Sequence, residues 1–444
     1  MKKIFKFAML LMTACTMTAG FTACSSDDDN DNNKTDLVTE QNQAIETLTR
    51  QYLNDVVYPT YGNLANECEN LYGKISALKV KLKTGSAVSQ DEIDDICTSY
   101  KAARKYWEQS EAFLYGAASD FEIDPHIDTW PLDVPTLGAD LTDDAKIARL
   151  DAADGIEYAR TSLTAENLGF HGIEFIFFRD GMNRSAAFFN NDEKETDDDI
   201  TSKGEVTAKE EVIFATAVAG DLRDKCFQLE VAWNPNASSA HKSRVAECAA
   251  KSSDDFQTKV GKNGLSFGEN LIAVSSGNST YNSWKKVMEE ILVGGCSNIC
   301  AEVADQKMGQ AYRAATGKAE THIDEETGEL VEDDPNYIES PYSHNSFTDF
   351  YGNIMSIQNA LYNNVEGTKA TSTSVMSYLQ KYNAAEAATL QAKLTAALAA
   401  LQACQNSGKS FVEAPGAAYV KVAMDAISDL DDELNAAADW ILKN

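Results

Sequence analysis

The chain predicts an all-α protein, built as two helical-bundle domains that are each four-helix-bundle-like. Three observations carry that prediction. Long stretches place apolar residues at helical spacing, only eight prolines interrupt 444 residues, and strand alternation is nowhere sustained.

The stripes can be followed in order. Ile45, Leu48, Tyr52 and Val56 form one, and Pro59 is expected to bend or end it. Leu64, Cys68, Leu71, Ile75 and Leu78 form the next. Tyr100, Ala103, Trp107 and Leu114 make a third. Residues 383–404 are rich in Ala and Leu, with Leu390, Leu394, Leu398 and Leu401 along one side. The last runs through Val420, Met424, Ile427, Leu430, Leu434 and Ile441. Three regions break this texture. Residues 119–142 carry three prolines and read as a long loop, and residues 317–345 read as holding a small turn or hairpin. Residues 189–206 are polar and acidic, a domain linker or surface loop. The domains are therefore placed at 37–195 and 206–444.

The N-terminus predicts an exported lipoprotein. Lys2, Lys3 and Lys6 precede an apolar stretch from Phe7 to Ala23, too short and interrupted for a comfortable membrane span. Phe21-Thr22-Ala23-Cys24 resembles a lipobox, although Phe21 departs from the usual Leu. Residues 1–23 then form a signal peptide, Cys24 the lipidated residue and 24–36 an acidic tether. The acidic run after Cys24 also resembles the surface-export signal of Bacteroidetes lipoproteins. The expected address is the cell envelope, as an outer-membrane lipoprotein facing periplasm or cell surface, with the membrane met through the lipid alone. Removing three lysines and no acid takes the formal charge from −31 to −34. Such a body repels nucleic acid and anionic lipid, and attracts cations. Seven cysteines follow Cys24 at spacings that fit no zinc framework, so buried thiols or one or two disulfides are expected.

Four segments could carry chemistry. Residues 169–178 are apolar nearly throughout, yet contain His171 and Glu174 on one helical face. A buried carboxylate needs a partner, since desolvating it alone costs several kcal/mol or more. A core His–Glu hydrogen bond would satisfy the pair equally well. Glu111, with Ser110 beside it, falls one turn after Trp107 on an otherwise apolar stripe. The run Asp124-Pro-His126-Ile-Asp128-Thr-Trp130-Pro-Leu-Asp133 gathers oxygen donors and an imidazole, or simply forms turns. Glu339-Ser-Pro-Tyr-Ser343-His344-Asn-Ser346-Phe-Thr-Asp349 precedes a helix on which Ser346 and Asp349 have capping-box spacing. Three of five histidines lie in these segments, which favours one shared polar site. Gly264-Leu-Ser266-Phe-Gly268 matches the nucleophile-elbow pattern but lacks the strand that motif requires.

The motifs Gly-x-His171-x-x-Glu174, Trp107-x-x-Ser110-Glu111-x-Phe113, Trp130-Pro-Leu-Asp133 and Ser-Pro-Tyr-Ser343-His344-Asn-Ser346 together resemble the imelysin family of bacterial envelope proteins, in its Bacteroidetes lipoprotein version. The resemblance spans roughly residues 40–440. It implies two four-helix-bundle domains, a metal or ligand site near their interface holding the His-x-x-Glu pair, and a link to iron uptake with envelope partners. The metal ligands expected are His171, Glu174 and Glu111, with Trp107, Ser110, Trp130, Asp133, Ser343, His344, Ser346 and Asp349 lining the pocket. Imidazole and carboxylate suit iron, zinc or manganese, and the resemblance puts iron first. A metallopeptidase is the alternative, because the family name carries a peptidase assignment. The chain has no His-Glu-x-x-His, which ranks a catalytic role below binding. A non-catalytic surface module is the third reading.

Overall fold

The computed structural model of the chain describes residues 28–323 and 330–444. Cys24, the residue expected to carry lipid, and residues 1–23, expected to form a signal peptide, lie outside the described residues. Helix α1 (Asp28–Tyr52) begins within the acidic run and passes through a π-helical turn, Leu53–Val57, into α2 (Tyr58–Thr84). Pro59 was expected to bend or end the first stripe. It comes two residues after the π-helical turn, and the helix runs past it through α2 with helical backbone throughout. Ile45, Leu48, Tyr52 and Val56 are buried as the stripe predicts. Gly85 ends α2 with φ +68, sending its N–H back to Leu82 and Lys81 carbonyls. A Ser89–Glu92 capping box starts α3 (Gln90–Glu108), which packs along α2.

Residues 119–142 are not one long loop. They hold the turns of helix Asp124–Ile127 and Val134–Leu141, with Pro125 and Pro135 in first-turn positions. Helix α4 (Gly169–Phe177) is buried at all nine residues and runs into an antiparallel hairpin of β1 (Phe178–Arg179) and β2 (Met182–Asn183). Gly169 has φ +63, and a Cβ there would stand 1.9 Å from the Ile127 carbonyl oxygen, so only glycine fits. Helix α5 (Ala208–Trp233) follows the acidic 189–206 segment. It packs chiefly on α2, and also on α4 and on helices Gly155–Ser162 and Ser239–Ala249.

The remaining helices form a second packing neighbourhood. Residues 284–315 alternate α- and π-helical turns. Helices α6 (Ser346–Tyr362), α7 (Ala384–Gln405) and α8 (Ala418–Lys443) complete it, with α8 lying on α7 and on the 284–307 stretch. Leu390, Leu394, Leu401, Ile427, Leu430 and Leu434 are fully buried, as their spacing predicts. Helix α6 reaches across to α3 and to the Glu111–Phe113 turn, and one apolar core runs through both neighbourhoods. Strands β3 (Thr321–Ile323) and β4 (Leu330–Glu332) form the small hairpin expected in 317–345. Among the described residues strand occurs only in these two hairpins, so the fold is all-α. Cys68, Cys97, Cys226, Cys248, Cys296, Cys300 and Cys404 are buried free thiols. Ser266 of the elbow-like motif simply caps helix Phe267–Ile272 through a capping box with Glu269.

Candidate metal centre

Helix α3 supplies the centre's first wall. Arg104, Trp107 and Glu108 are three and four residues apart, so they share one face, and that face is buried. The Arg104 guanidinium donates through Nη1 to Asp128 and through Nη2 to Glu339. Nη2 also lies 2.7 Å from Glu108 Oε1, and Nε lies 3.6 Å from Asp349. Trp107 Nε1 donates to the second oxygen of Asp128 at 2.6 Å.

Helix α4 supplies the second wall. His171 Nδ1 is 3.5 Å from Glu174 Oε2, which is the pairing the three-residue spacing predicts. Glu174 Oε1 accepts from the Ser343 backbone N–H at 2.8 Å and its hydroxyl at 2.6 Å. The other imidazole nitrogen, Nε2, lies 3.1 Å from Asp128 Oδ1 but is not aligned with it as a hydrogen bond, and no other group bonds it.

The third wall is the 339–349 segment. Glu339 is fully buried; its Oε1 takes Arg104 and, at 3.3 Å, Lys307, while Oε2 has no hydrogen-bond partner. Ser340 and His344 hold φ of +53 and +56, the left-handed region that non-glycine residues rarely occupy and that tends to mark functional segments. Asp349 accepts from Ser340 Oγ and from Asn345 Nδ2 at 2.6 Å. Ligating atoms of Asp128, His171 and Glu339 all fall within 4.8 Å of one another, and so do those of Glu108, Glu111 and Asp128.

Acid outnumbers base here. Glu108, Asp128, Glu339 and Asp349 crowd Arg104, while Glu111 and Glu302 join Glu339 around Lys307, at 3.8 and 3.6 Å. Burial drives the Glu108 and Glu111 carboxyls well above their ordinary range, and pushes Asp349 to about 7. Burial acts on Asp128 too, but Arg104 and His171 outweigh it and hold that carboxyl well below its usual range. Burial opposes protonation of His171; Asp128 and Glu174 overcome that and raise it to about 9. Arg104, Lys307 and the His171 imidazolium, which holds its proton up to about pH 9, thus face seven carboxyl groups with Glu174 among them, and the shortfall must be made up by protons or by a further cation.

The predicted residues divide. His171, Glu174, Ser343, Trp107 and Asp349 come together. Glu111 was expected on the helical stripe one turn beyond Trp107, but α3 ends at Glu108 and Glu111 opens a 3₁₀ turn. It is buried beside Lys307, in the group with Glu108 and not in the group with His171. Ser110 donates to the Trp107 carbonyl at 2.7 Å, closing the helix end. Asp133 caps helix Val134–Leu141, and Trp130 packs on Tyr337. Ser346 and Asp349 form no capping box: Ser346 Oγ donates to the Glu339 carbonyl, and Asp349 turns to Ser340 and Asn345. The histidines do not converge. His126 pairs with Asp221 and His241 with Glu230, and His344 packs over Gly181, so His171 stands alone among carboxylates in the described residues. Arg104, Glu108 and Lys307 were not singled out from the sequence, and Asp128 and Glu339 stood in candidate segments without being chosen as ligands. Arg104 and Glu108 could have been, since both interrupt the apolar face of α3.

These features define an all-helical protein with a buried, acid-rich centre that joins both halves of the chain. A family model described as imelysin, peptidase M75, matches residues 57–435, and the chain belongs to that family. Iron-regulated protein A of Synechococcus elongatus is 28% identical over 140 residues, 31% of this chain and 33% of that protein. The chain thus spans about a third of that relative's length in the match. A crystal structure from Parabacteroides distasonis, described as an iron-regulated protein A precursor, superposes with a TM-score of 0.65 at 22% identity, covering 90% of this chain and 95% of that one. An imelysin-like protein from Psychrobacter arcticum gives a TM-score of 0.47 at 15% identity, over 90% and 93%.

Proposed function

We propose that this imelysin-family chain is a cell-envelope protein that binds a metal cation at Asp128, His171 and Glu339. The observation that carries the reading is a pair of buried atoms, His171 Nε2 and Glu339 Oε2, that have no hydrogen-bond partner inside a cluster short of positive charge. One imidazole nitrogen with carboxylate oxygens is a donor set for iron, zinc or manganese. Iron is placed first because a relative and a structural neighbour are described as iron-regulated. Glu174, anchored by Ser343, would orient the His171 ring from behind, as a carboxylate commonly does for a ligating histidine. Arg104 and Lys307 would limit the charge the cation must neutralise. The lipid link at Cys24, an outer-membrane address and envelope iron-uptake partners belong to the same proposal and rest on the N-terminal sequence and the family resemblance.

The test is a binding titration of residues 37–444 with Fe(II) and with Zn(II), repeated for His171→Ala and Glu339→Gln. Binding that weakens at least about tenfold in both variants supports the site. Equal binding by wild type and variants, or none by wild type, refutes it.

A further inference from the structure

A second group of buried charges has the opposite imbalance. Asp224, fully buried on α5, accepts from three guanidinium groups: Arg160 Nη2 at 2.9 Å, Arg223 Nη2 at 2.7 Å, and Arg244 through Nε at 2.9 Å and Nη2 at 2.7 Å. Asp221, one turn earlier, takes Arg160 Nε at 2.6 Å and His126 Nε2 at 2.6 Å. The neighbouring ammonium of Lys225 is buried as well. It forms no ion pair among the described residues; it donates to the Asp255 carbonyl at 3.0 Å. Three guanidinium groups and one ammonium therefore surround two buried carboxylates. A single bidentate arginine would have satisfied Asp224, and the two extra ones repel each other in a medium of low dielectric.

The three arginines line a cavity of about 330 Å³ together with Tyr72, Lys251 and the acids Asp154, Glu157 and Glu247. That is the lower end of the size range of small-molecule sites. Arg160 and Arg223 engage their carboxylates through Nε and Nη2, which leaves the Nη1 edges of both. Arg223 lies over the Tyr72 ring at 4.2 Å and Arg160 over the Phe256 ring at 4.6 Å, and with their carboxylate bonds these contacts mean that a ligand would find them already positioned. Acidic residues do reach the mouth. Glu157 pairs with Lys251 at 2.7 Å, Glu247 lies 3.4 Å from Arg244 Nη1, and Asp154 pairs with Arg149 at 2.9 Å, all with side chains more than a third exposed. Solvent screens these rim charges more than Arg160 and Arg223, whose side chains are 7% and 11% exposed.

We propose that this cavity binds a small oxyanion, a phosphate or a compact polycarboxylate, on Arg160, Arg223 and Arg244, with Arg244 exchanging its contact to Glu247 for the ligand. In a chain of net charge −31 such a ligand is repelled by the rest of the surface, so a built pocket is needed to hold it. This inference does not depend on the metal centre.

The experiment is calorimetric titration of residues 37–444 with inorganic phosphate and, separately, with citrate, against sodium chloride at matched ionic strength. Three variants accompany wild type. Arg244→Gln removes the most exposed of the three guanidinium groups and leaves Asp224 with two. Glu247→Gln removes a rim acid. Lys251→Ala, at an exposed rim position, serves if Arg244→Gln fails to fold. Saturable binding of either anion is expected, weakened roughly 10- to 100-fold by Arg244→Gln, a charge-assisted hydrogen bond's worth. Glu247→Gln is expected to tighten it a few-fold and Lys251→Ala to weaken it a few-fold. Binding of phosphate alone identifies the phosphate class, and of citrate alone the polycarboxylate class. No saturable binding of either above chloride, or binding unchanged in Arg244→Gln and Lys251→Ala, overturns the proposal.

Discussion

Arg104 is the group whose loss the structure makes easiest to quantify. It is fully buried, and its guanidinium meets Glu108, Asp128, Glu339 and Asp349. Replacing Arg104 by Leu keeps the apolar stem's volume but leaves four carboxyl groups without their counter-charge. Breaking one side of a buried ion pair costs about 3–5 kcal/mol. The carboxyls respond by taking up protons, which keeps the loss near that range and not at several times it. With about 400 ordered residues at about 2.1 cal/mol/K each, the unfolding entropy is on the order of 0.8 kcal/mol/K, so about 4 kcal/mol lowers Tm by about 5 °C. Calorimetry of wild type and Arg104→Leu at pH 7, with chelator present in both, reads this shift. Arg104→Lys should recover only part of it, because one ammonium cannot reach four carboxylates in the guanidinium's geometry. A Tm for Arg104→Leu within about 1 °C of wild type, or above it, would show that the cluster does not depend on its central cation.

Two other outcomes are expected. Gly169→Ala forces a Cβ to within 1.9 Å of the Ile127 carbonyl oxygen at a φ of +63, so urea unfolding should show a loss of about 3 kcal/mol or more, and displacement of Asp128 should weaken metal binding as well. Glu195 is held near pH 2 in the folded chain: burial would raise its carboxyl, but Arg184 and Arg179 pull it down further. A depressed carboxyl contributes stability that is complete above its unfolded value near 4.3 and is lost as pH falls toward 2. Wild type should lose on the order of 3 kcal/mol through this group across that window. Glu195→Gln should flatten this limb, and an unchanged acid slope would refute the assignment.

Helices were the legible part of the chain, because burial on one face writes itself as spacing. The stripes through Ile45–Val56, Leu64–Leu78 and Val420–Ile441 are core in the structure. The short helices of 117–141 were not legible, since Pro125 and Pro135 act as first-turn residues there and read equally well as loop punctuation. His171 and Glu174 stood out because seven apolar or glycine positions surround them in α4. Arg104 lies on the same buried face as Tyr100, Ala103 and Trp107, but a count of apolar positions passes over it. Lys307 left no local signal, and Glu339 stood at the head of a candidate segment with nothing to mark it as a ligand. Glu339 meets Arg104 across 235 residues of chain, and Lys307 ends a π-helical stretch whose period differs from 3.6. Glu111 was misplaced by one assumption, that α3 continues past Glu108. Asp133 and His344 were drawn in by residue type, whereas the first caps a helix and the second packs on a hairpin turn.

A cation held among Asp128, His171 and Glu339 would be visible by diffraction. Crystals of residues 37–444 grown with Fe(II), measured on both sides of the iron absorption edge, test for it most directly. One anomalous peak is expected within coordination distance of His171 Nε2 and a Glu339 oxygen, absent in His171→Ala. A peak between Glu108 and Glu111 instead, or no peak at the cluster, would contradict that placement.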